Sequence, residues 1–471
     1  VHDVFAQKLM SRGARMAGED RMAEIVRKAW QTFFARVLII AALFAGSLQS
    51  AQALPSFARQ TGQQCVACHN GFPELTPYGR QFKLNGYIFS TGTDTGPPLA
   101  ALIITSLTHT DKPQPHAIVP GTSRNDNAIV DAVNIYYAGK IFSNLGAFVQ
   151  GLWSPLTHRF QLFTSDIRYA DSTQLLGKDT TYGVSFNNAP GITDPWNTAQ
   201  SFWSYPYEMS HVTLPPVTST ALQGRYSLQV AGANAYVSWD QLIYVAAGIY
   251  EGLDAKTLNS IGVSTRGTSQ IHGAASYWRV ALAPGWGHST WEVGTFGMDM
   301  AVDPHRTASA GTDHTLDVGF DTQYQYLADR NSWSFISSYI FERSTLDASR
   351  SLGFANNAHD NLDALNAKVT YNYDQTYGAN IGYFQTTGSR DRDLYAPQSA
   401  NDSPNSSGWI AELDYYAFNR GGPDFWPTFN LKLGLQYMLY TRFDGGTTNY
   451  NGLGRNANDN NMLFLYGWIL F

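Results

Sequence analysis

Residues 431–443 read LKLGLQYMLYTRF. In an extended chain Leu431, Leu433, Leu435, Tyr437 and Leu439 share one face, and Asn430, Lys432, Gly434 and Gln436 share the other. That period of two marks a strand. A lysine and a glutamine in mid-strand, opposite an unbroken apolar stripe, call for water on one side and oil on the other. A barrel strand with a wet lumen and a lipid-facing exterior meets that demand. Residues 314–328 repeat the pattern, with Leu316, Val318, Phe320, Tyr324 and Tyr326 opposing Asp317, Gly319, Asp321, Gln323 and Gln325. In 408–418, Leu413, Tyr415 and Ala417 oppose Glu412, Asp414 and Tyr416.

Working outward, sixteen such stretches are predicted, from 99–109 to 461–471, an even number as bacterial single-chain barrels require. The gaps 239–241, 284–288, 328–330 and 374–375 are short. The gaps 189–223, 252–269, 302–313, 344–363, 389–407 and 443–460 are long. Short periplasmic turns alternating with long external loops is the barrel rule, and a β-sandwich has no reason to follow it. Between 154 and 180 the pattern weakens. The chain ends NNMLFLYGWILF, a strand closing on an aromatic residue, which resembles the signal read by the outer-membrane barrel assembly machinery.

Composition agrees. Charged residues make up 14% of the 471, against ~25% in ordinary soluble domains. An aromatic content of 14% argues against disorder. Mean hydropathy is -0.24, and after the first 50 positions no apolar run of ~20 residues occurs, so a helical membrane protein is disfavoured. The net charge of -6 argues against nucleic acid as a partner. Residues 37–50, VLIIAALFAGSLQS, follow Lys28 and Arg36 and precede Ala51-Gln52-Ala53. This is the order of a secretory signal over 1–53, cleaved near Ala53; a start at Met22 gives it ordinary length.

The two cysteines stand in TGQQCVACHNG, as Cys65 and Cys68 with His69 following. In C-x-x-C-H each thiol can form a thioether with a haem vinyl group, while the imidazole ligates the iron. Structural zinc wants four ligands and finds three here; a redox dithiol wants a βαβ setting, which is lacking. The motif therefore predicts one covalent haem c (heme c), with Cys65, Cys68 and His69 as its attachment and proximal ligand. A short helix is expected over 77–85, with Thr76 as N-cap, Pro77 in its first position and Gly86 ending it. Arg80 and Lys83 lie three apart on that helix, where they either meet haem propionates or form a solvated pair. The segment 54–98 is too short to hold a fold unaided, so the barrel, 99–471, is expected to cover the porphyrin.

No Met lies between Ala53 and His109, and no His between His69 and His109. A second axial ligand would thus come from the barrel, with His109, His158, His272, Met298 and Met438 as candidates and His109 favoured. Asp303, Asp313, Asp347 and Asp444 fall in expected external loops and are candidates for attracting divalent iron.

CVACH at 65–69, FPELTPYGRQFKLNGY at 72–87, DPWNT at 194–198 in a long external loop and the sixteen-strand pattern together resemble the fused outer-membrane monohaem cytochrome–porins of iron-oxidising bacteria. The resemblance implies an Fe(II)-oxidising electron conduit embedded in outer-membrane lipid. It takes electrons from external ferrous iron and passes them through one haem to a periplasmic c-type cytochrome or copper protein. The alternatives are a diffusion porin with a tethered haem, and a conduit running outward to an external acceptor.

Replacing Cys65 or Cys68 with alanine is expected to abolish covalent haem or make it labile, read by haem stain after denaturation. Full staining of both variants overturns the motif's reading. The barrel is still expected to reach the membrane, because its hydrogen-bonded ladder closes without haem.

Overall fold

A chain that crosses lipid as strands must pair every backbone N–H and C=O, and an open sheet edge cannot. The computed structural model describes residues 54–89, 96–199 and 207–471; the expected signal over 1–53 lies outside the described residues. Three short helices come first: α1 (Pro55–Thr61), α2 (Cys65–Cys68) and α3 (Pro77–Leu84). Then follow β1 (Leu99–Thr110), β2 (Asn127–Phe142), β3 (Leu145–Ser154), β4 (Arg159–Leu175), β5 (Lys178–Asn187), β6 (Val230–Trp239), β7 (Ile243–Gly252) and β8 (Gln270–Leu282). The second half holds β9 (Ser289–Asp303), β10 (Asp313–Leu327), β11 (Asn331–Thr345), β12 (His359–Tyr373), β13 (Tyr377–Gly388), β14 (Ser406–Tyr416), β15 (Asn430–Arg442) and β16 (Met462–Leu470).

Each strand pairs antiparallel with the next, and β1 pairs with β16 from Leu102↔Leu470 to Thr110↔Met462, which closes the sheet. The sheet counts seventeen strands, of which Gly285–Trp286 is a two-residue arm of the β8–β9 turn, leaving sixteen that cross. Helices and barrel belong to one compact unit, Ala51–Gly422 with Thr428–Phe471. Among the described residues no helix is long and apolar enough to cross a membrane.

The expected faces are the observed ones. In β15, Lys432 and Gln436 are buried in the lumen while Leu433, Leu435, Tyr437 and Leu439 point outward, 36–43% exposed. In β10, Asp317, Asp321, Gln323 and Gln325 are inside and Phe320 is outside. Aromatic pairs, Trp333 with Tyr371 and Tyr377 with Tyr415, sit on the outer surface near the short-turn end, as in an interfacial girdle. The turns Leu176-Gly177, Asp240-Gln241 and Asp374-Gln375 each carry two successive positive φ angles. That geometry matches the twist of a two-residue hairpin. The weak pattern between 154 and 180 has a physical cause. Ser172–Leu175 of β4 and Lys178 and Asp179 of β5 are exposed on both faces, so no inside and outside exist there to impose alternation. The external connection 155–158 is short, and the expected alternation of short and long gaps holds from residue 189 onward, with 417–429 of middling length.

The lumen is filled from two directions. The helical segment enters at the short-turn end. The Gly71 N–H donates to Gln375 Oε1 (3.0 Å), Ser332 Oγ to Asn70 Oδ1 (2.6 Å), and Gln325 Nε2 to Glu74 Oε1 (2.7 Å). The long β5–β6 connection folds inward from the other end. Leu222 N–H donates to Asp317 Oδ2 and Ala221 N–H to Glu342 Oε2, both at 2.8 Å, and Val217 N–H to Asp444 Oδ1 at 2.9 Å. The DPWNT stretch, expected in an external loop, is therefore interior, with Asp194 fully buried and Trp196 5% exposed. Its position follows from a charge demand. Arg279 of β8, fully buried, faces Glu292 of β9 (3.1 Å), Asp321 of β10 (2.6 Å) and Asp194 of the loop (3.3 Å).

Arg279→Met should leave three carboxylates buried without their cation, a loss of about 3–5 kcal/mol. The measurement is the temperature at which the folded, heat-modifiable gel band is lost, and an unchanged temperature contradicts this account of the lumen.

Candidate cofactor site

In the short-turn half, one sector of the polar lumen wall is apolar. Trp468 and Leu470 of β16, Leu102 and Ile104 of β1, Ala132 and Tyr136 of β2, and Phe148 and Leu152 of β3 line it. With Phe57, Phe72 and Phe82 from the helical segment they bound a cavity of about 430 Å³. This is the size and lining of a cofactor pocket. Apolar side chains turned inward are what a flat apolar ligand requires and what a water-filled lumen does not.

The helical segment presents the motif to that cavity. Thr76 caps α3, accepting from the Gly79 N–H (3.2 Å) and donating to Ala67 O (2.6 Å), while its own N–H bonds Cys68 O (2.9 Å). The cap of α3 thus also pins α2. The two helices cross so closely that a Cβ on Gly79 would stand 2.2 Å from Cys68 O. Gly86 ends the segment's turn at φ +71, as expected.

Cys68 and His69 line the cavity. His69 Nδ1 lies 3.1 Å from Pro73 O. Because a carbonyl only accepts, the proton resides on Nδ1 and Nε2 keeps its lone pair. Burial lowers the imidazole to about 4, against the Pro73 and Glu74 carbonyls that favour protonation, so the ring is neutral, the ligating form. Burial also pushes the Cys68 thiol up to about 12. Cys65 is 1% exposed, packs against Ala58 and accepts from Asn430 Nδ2 at 3.3 Å; it does not line the cavity itself. Cys68, His69 and the apolar wall fit one thioether attachment, an imidazole ligand and the flat face of a haem, while the second thiol of the motif, Cys65, is turned to Asn430. Among the described residues no three His, Cys, Asp or Glu side chains converge on a metal-ion site.

Arg80 and Lys83 part company. Lys83 lines the cavity, its Nζ 2.9 Å from Asp194 O. Burial and then the Arg168 guanidinium push its amine down to about 7, against the pull of Asp194 and Asp166. Arg80 instead turns to the wall and donates to Gln323 Oε1 (2.9 Å), Gln325 Oε1 (2.8 Å) and Leu75 O (2.9 Å).

His109 is not brought to His69. The even-numbered residues of β1 face the lumen, and His109 is on the outward phase, opposite Leu463. Its Nδ1 is paired with Asp126 at 2.6 Å at the external end of the strand. Among the other ligand candidates, His158 lies exposed in the β3–β4 turn and His272 is exposed beside Asp303 (3.1 Å). Met298 and Met438 are packed in apolar clusters, and none of these four lines the cavity. Of the loop carboxylates, Asp313 accepts from Ser349 N–H and Oγ, and Asp444 from Val217 N–H; both are buried, as is Asp303. Asp347 is exposed.

Sequence reading missed the inward wall of β1–β3 and the 207–211 stretch. Glu208, Met209 and His211 line the cavity, and Trp468 Nε1 donates to Glu208 Oε2 at 2.8 Å. The available signal was the run Ser106, Thr108, Thr110, which sets even positions of β1 inward and makes Leu102 and Ile104 lumen residues.

No family model and no curated protein matches this chain. Similar solved structures are outer-membrane proteins. OmpT of Vibrio cholerae is 9% identical over 79% of this chain and 96% of its own, with a TM-score of 0.39. The outer membrane channel DcaP of Acinetobacter baumannii is 8% identical over 79% and 96%, at 0.43. OmpF of Salmonella typhi is 12% identical over 79% and 97%, at 0.41.

Gly79→Val should force α2 and α3 apart and cut haem stain several-fold per unit of folded barrel, with the heat-modifiable barrel band retained. Stain equal to the parent contradicts the close helix crossing.

Proposed function

We propose that this barrel is an outer-membrane electron conduit that oxidises ferrous iron outside the cell and delivers the electron to a periplasmic c-type cytochrome or copper protein. The observation that carries the reading is the C-x-x-C-H segment inside the lumen, with Cys68 and His69 on an apolar cavity of about 430 Å³. An apolar band ~25 Å tall separates donor from acceptor in such a barrel. Ferric iron hydrolyses and precipitates near neutral pH, which favours keeping oxidation outside.

Haem c, when bound there, supplies a one-electron couple. The chain's own groups do the rest. His69 offers a neutral Nε2 held in orientation by Pro73 O. The β16–β1–β2–β3 wall of the cavity is apolar, and Lys83 brings its amine to it. One electron leaves Fe(II) to give Fe(III), and one oxidised periplasmic carrier is reduced. The cavity lies in the short-turn half, the side of the periplasmic carrier.

A second reading, a diffusion porin with a tethered haem, is favoured by the sixteen strands, since porins of 16–18 strands leave an aqueous channel. Against it stand the helical segment and the β5–β6 connection, bonded to β10, β11 and the β12–β13 turn across the lumen.

Purified protein in liposomes should pass sugars and small ions far more slowly than an open sixteen-stranded porin. Spectroelectrochemical titration should give one haem that ferrous iron can reduce. Porin-like flux supports the second reading. A reduction potential far below that of the ferrous donor sinks iron oxidation.

A further inference from the structure

We propose that His211, on the β5–β6 connection, is the second axial ligand, so that the iron is held between two imidazoles. This rests on the reading that a haem occupies the cavity. Among the described residues the cavity wall carries five side chains with nitrogen or sulfur donors able to ligate iron: Cys68, His69, Lys83, Met209 and His211. Cys68 is used for attachment and His69 is the motif's ligand. The Lys83 amine is held by Asp194 O at 2.9 Å. The Met209 backbone N–H bonds the Glu208 carboxylate at 3.1 Å, and among the described residues no contact aims its thioether.

His211 is oriented. Its Nδ1 lies 3.2 Å from Asp131 Oδ1, and Asp131 is a lumen-facing residue of β2, 3% exposed. Among the described residues His211 Nε2 has no hydrogen-bond partner. A metal-ligating imidazole characteristically gives its other ring N–H to a carboxylate or a backbone carbonyl, which fixes tautomer and ring plane. Both forms occur here. His69 is tied through Nδ1 to a carbonyl and His211 through Nδ1 to a carboxylate, and both imidazoles line one cavity. The neighbouring Glu208 is anchored by Trp468 Nε1, so the stretch carrying His211 is fastened to β16 as well as to β2. The carboxylate strengthens His211 as a donor, which favours ferric iron and lowers the potential relative to a thioether ligand.

The test uses full-length holoprotein in detergent, after haem stain has established covalent attachment. Near-infrared magnetic circular dichroism and optical spectra of the parent should be those of low-spin bis-imidazole iron. His211→Ala should lose low-spin character and bind carbon monoxide, and added imidazole should restore the low-spin spectrum. Asp131→Asn should stay low-spin with a raised midpoint potential, while Met209→Leu should leave the spectrum unchanged. A low-spin His211→Ala protein, a high-spin Met209→Leu protein, or a high-spin parent overturns the assignment. Covalent haem with an unaltered His211→Ala spectrum sinks this assignment alone. A parent without covalent haem sinks the electron-conduit reading as well.

Discussion

Everything in this molecule follows from the pairing of β1 with β16. In lipid an unpaired backbone donor or acceptor costs several kcal/mol, so a sheet with a free edge cannot persist there. Closure removes the edge and creates an interior as a by-product. From Leu102↔Leu470 to Thr110↔Met462 the two terminal strands meet without a register break. That register aligns the inward residues of β1 with those of β16. Ile104 stands opposite Trp468, and Leu102 opposite Leu470. The apolar wall of the cavity is therefore made where the ends of the barrel join.

An interior lined by acidic, amide and basic side chains would ordinarily hold water. Here much of it holds protein. Arg279 gathers carboxylates from two neighbouring strands and from a connection far away in the chain, and Lys83 bonds the backbone of the same connection. A buried cation among three carboxylates adds little net stability by itself, but breaking the group is expensive. Its structural effect is to help set where the β5–β6 connection lies, a connection that also contributes to the cavity wall.

The helical segment shows the complementary economy. Its helices are too short to persist alone in water. They gain their order from the cap of Thr76, from the close crossing at Gly79 and from bonds to residues beside the short turns. A C-x-x-C-H motif held this way is positioned by the barrel as much as by its own sequence.

Periodicity made the strands legible because lipid and water impose opposite demands on alternate residues. Lys432 between Leu431 and Leu433 has one solution. The pattern faded at Ser172–Leu175, where both faces are exposed. It misled in β1, where Leu102 and Ile104 face a lumen that is locally apolar, so that the inward phase resembles the outward one and His109 could be placed on either. Local chemistry likewise determined the N-cap at Thr76, the left-handed Gly86 and the cysteine–histidine motif, all of which depend on residues within a few positions of one another. What only the tertiary structure decided is which groups share the cavity. Lys83 and His69 of the helical segment and His211 of the β5–β6 connection line it together, and Asp131 of β2 pairs with His211; they meet because closure fixes the strands' inward faces and the Arg279 carboxylates draw one long connection inside. No local pattern encodes that meeting, since it depends on contacts between residues distant in sequence.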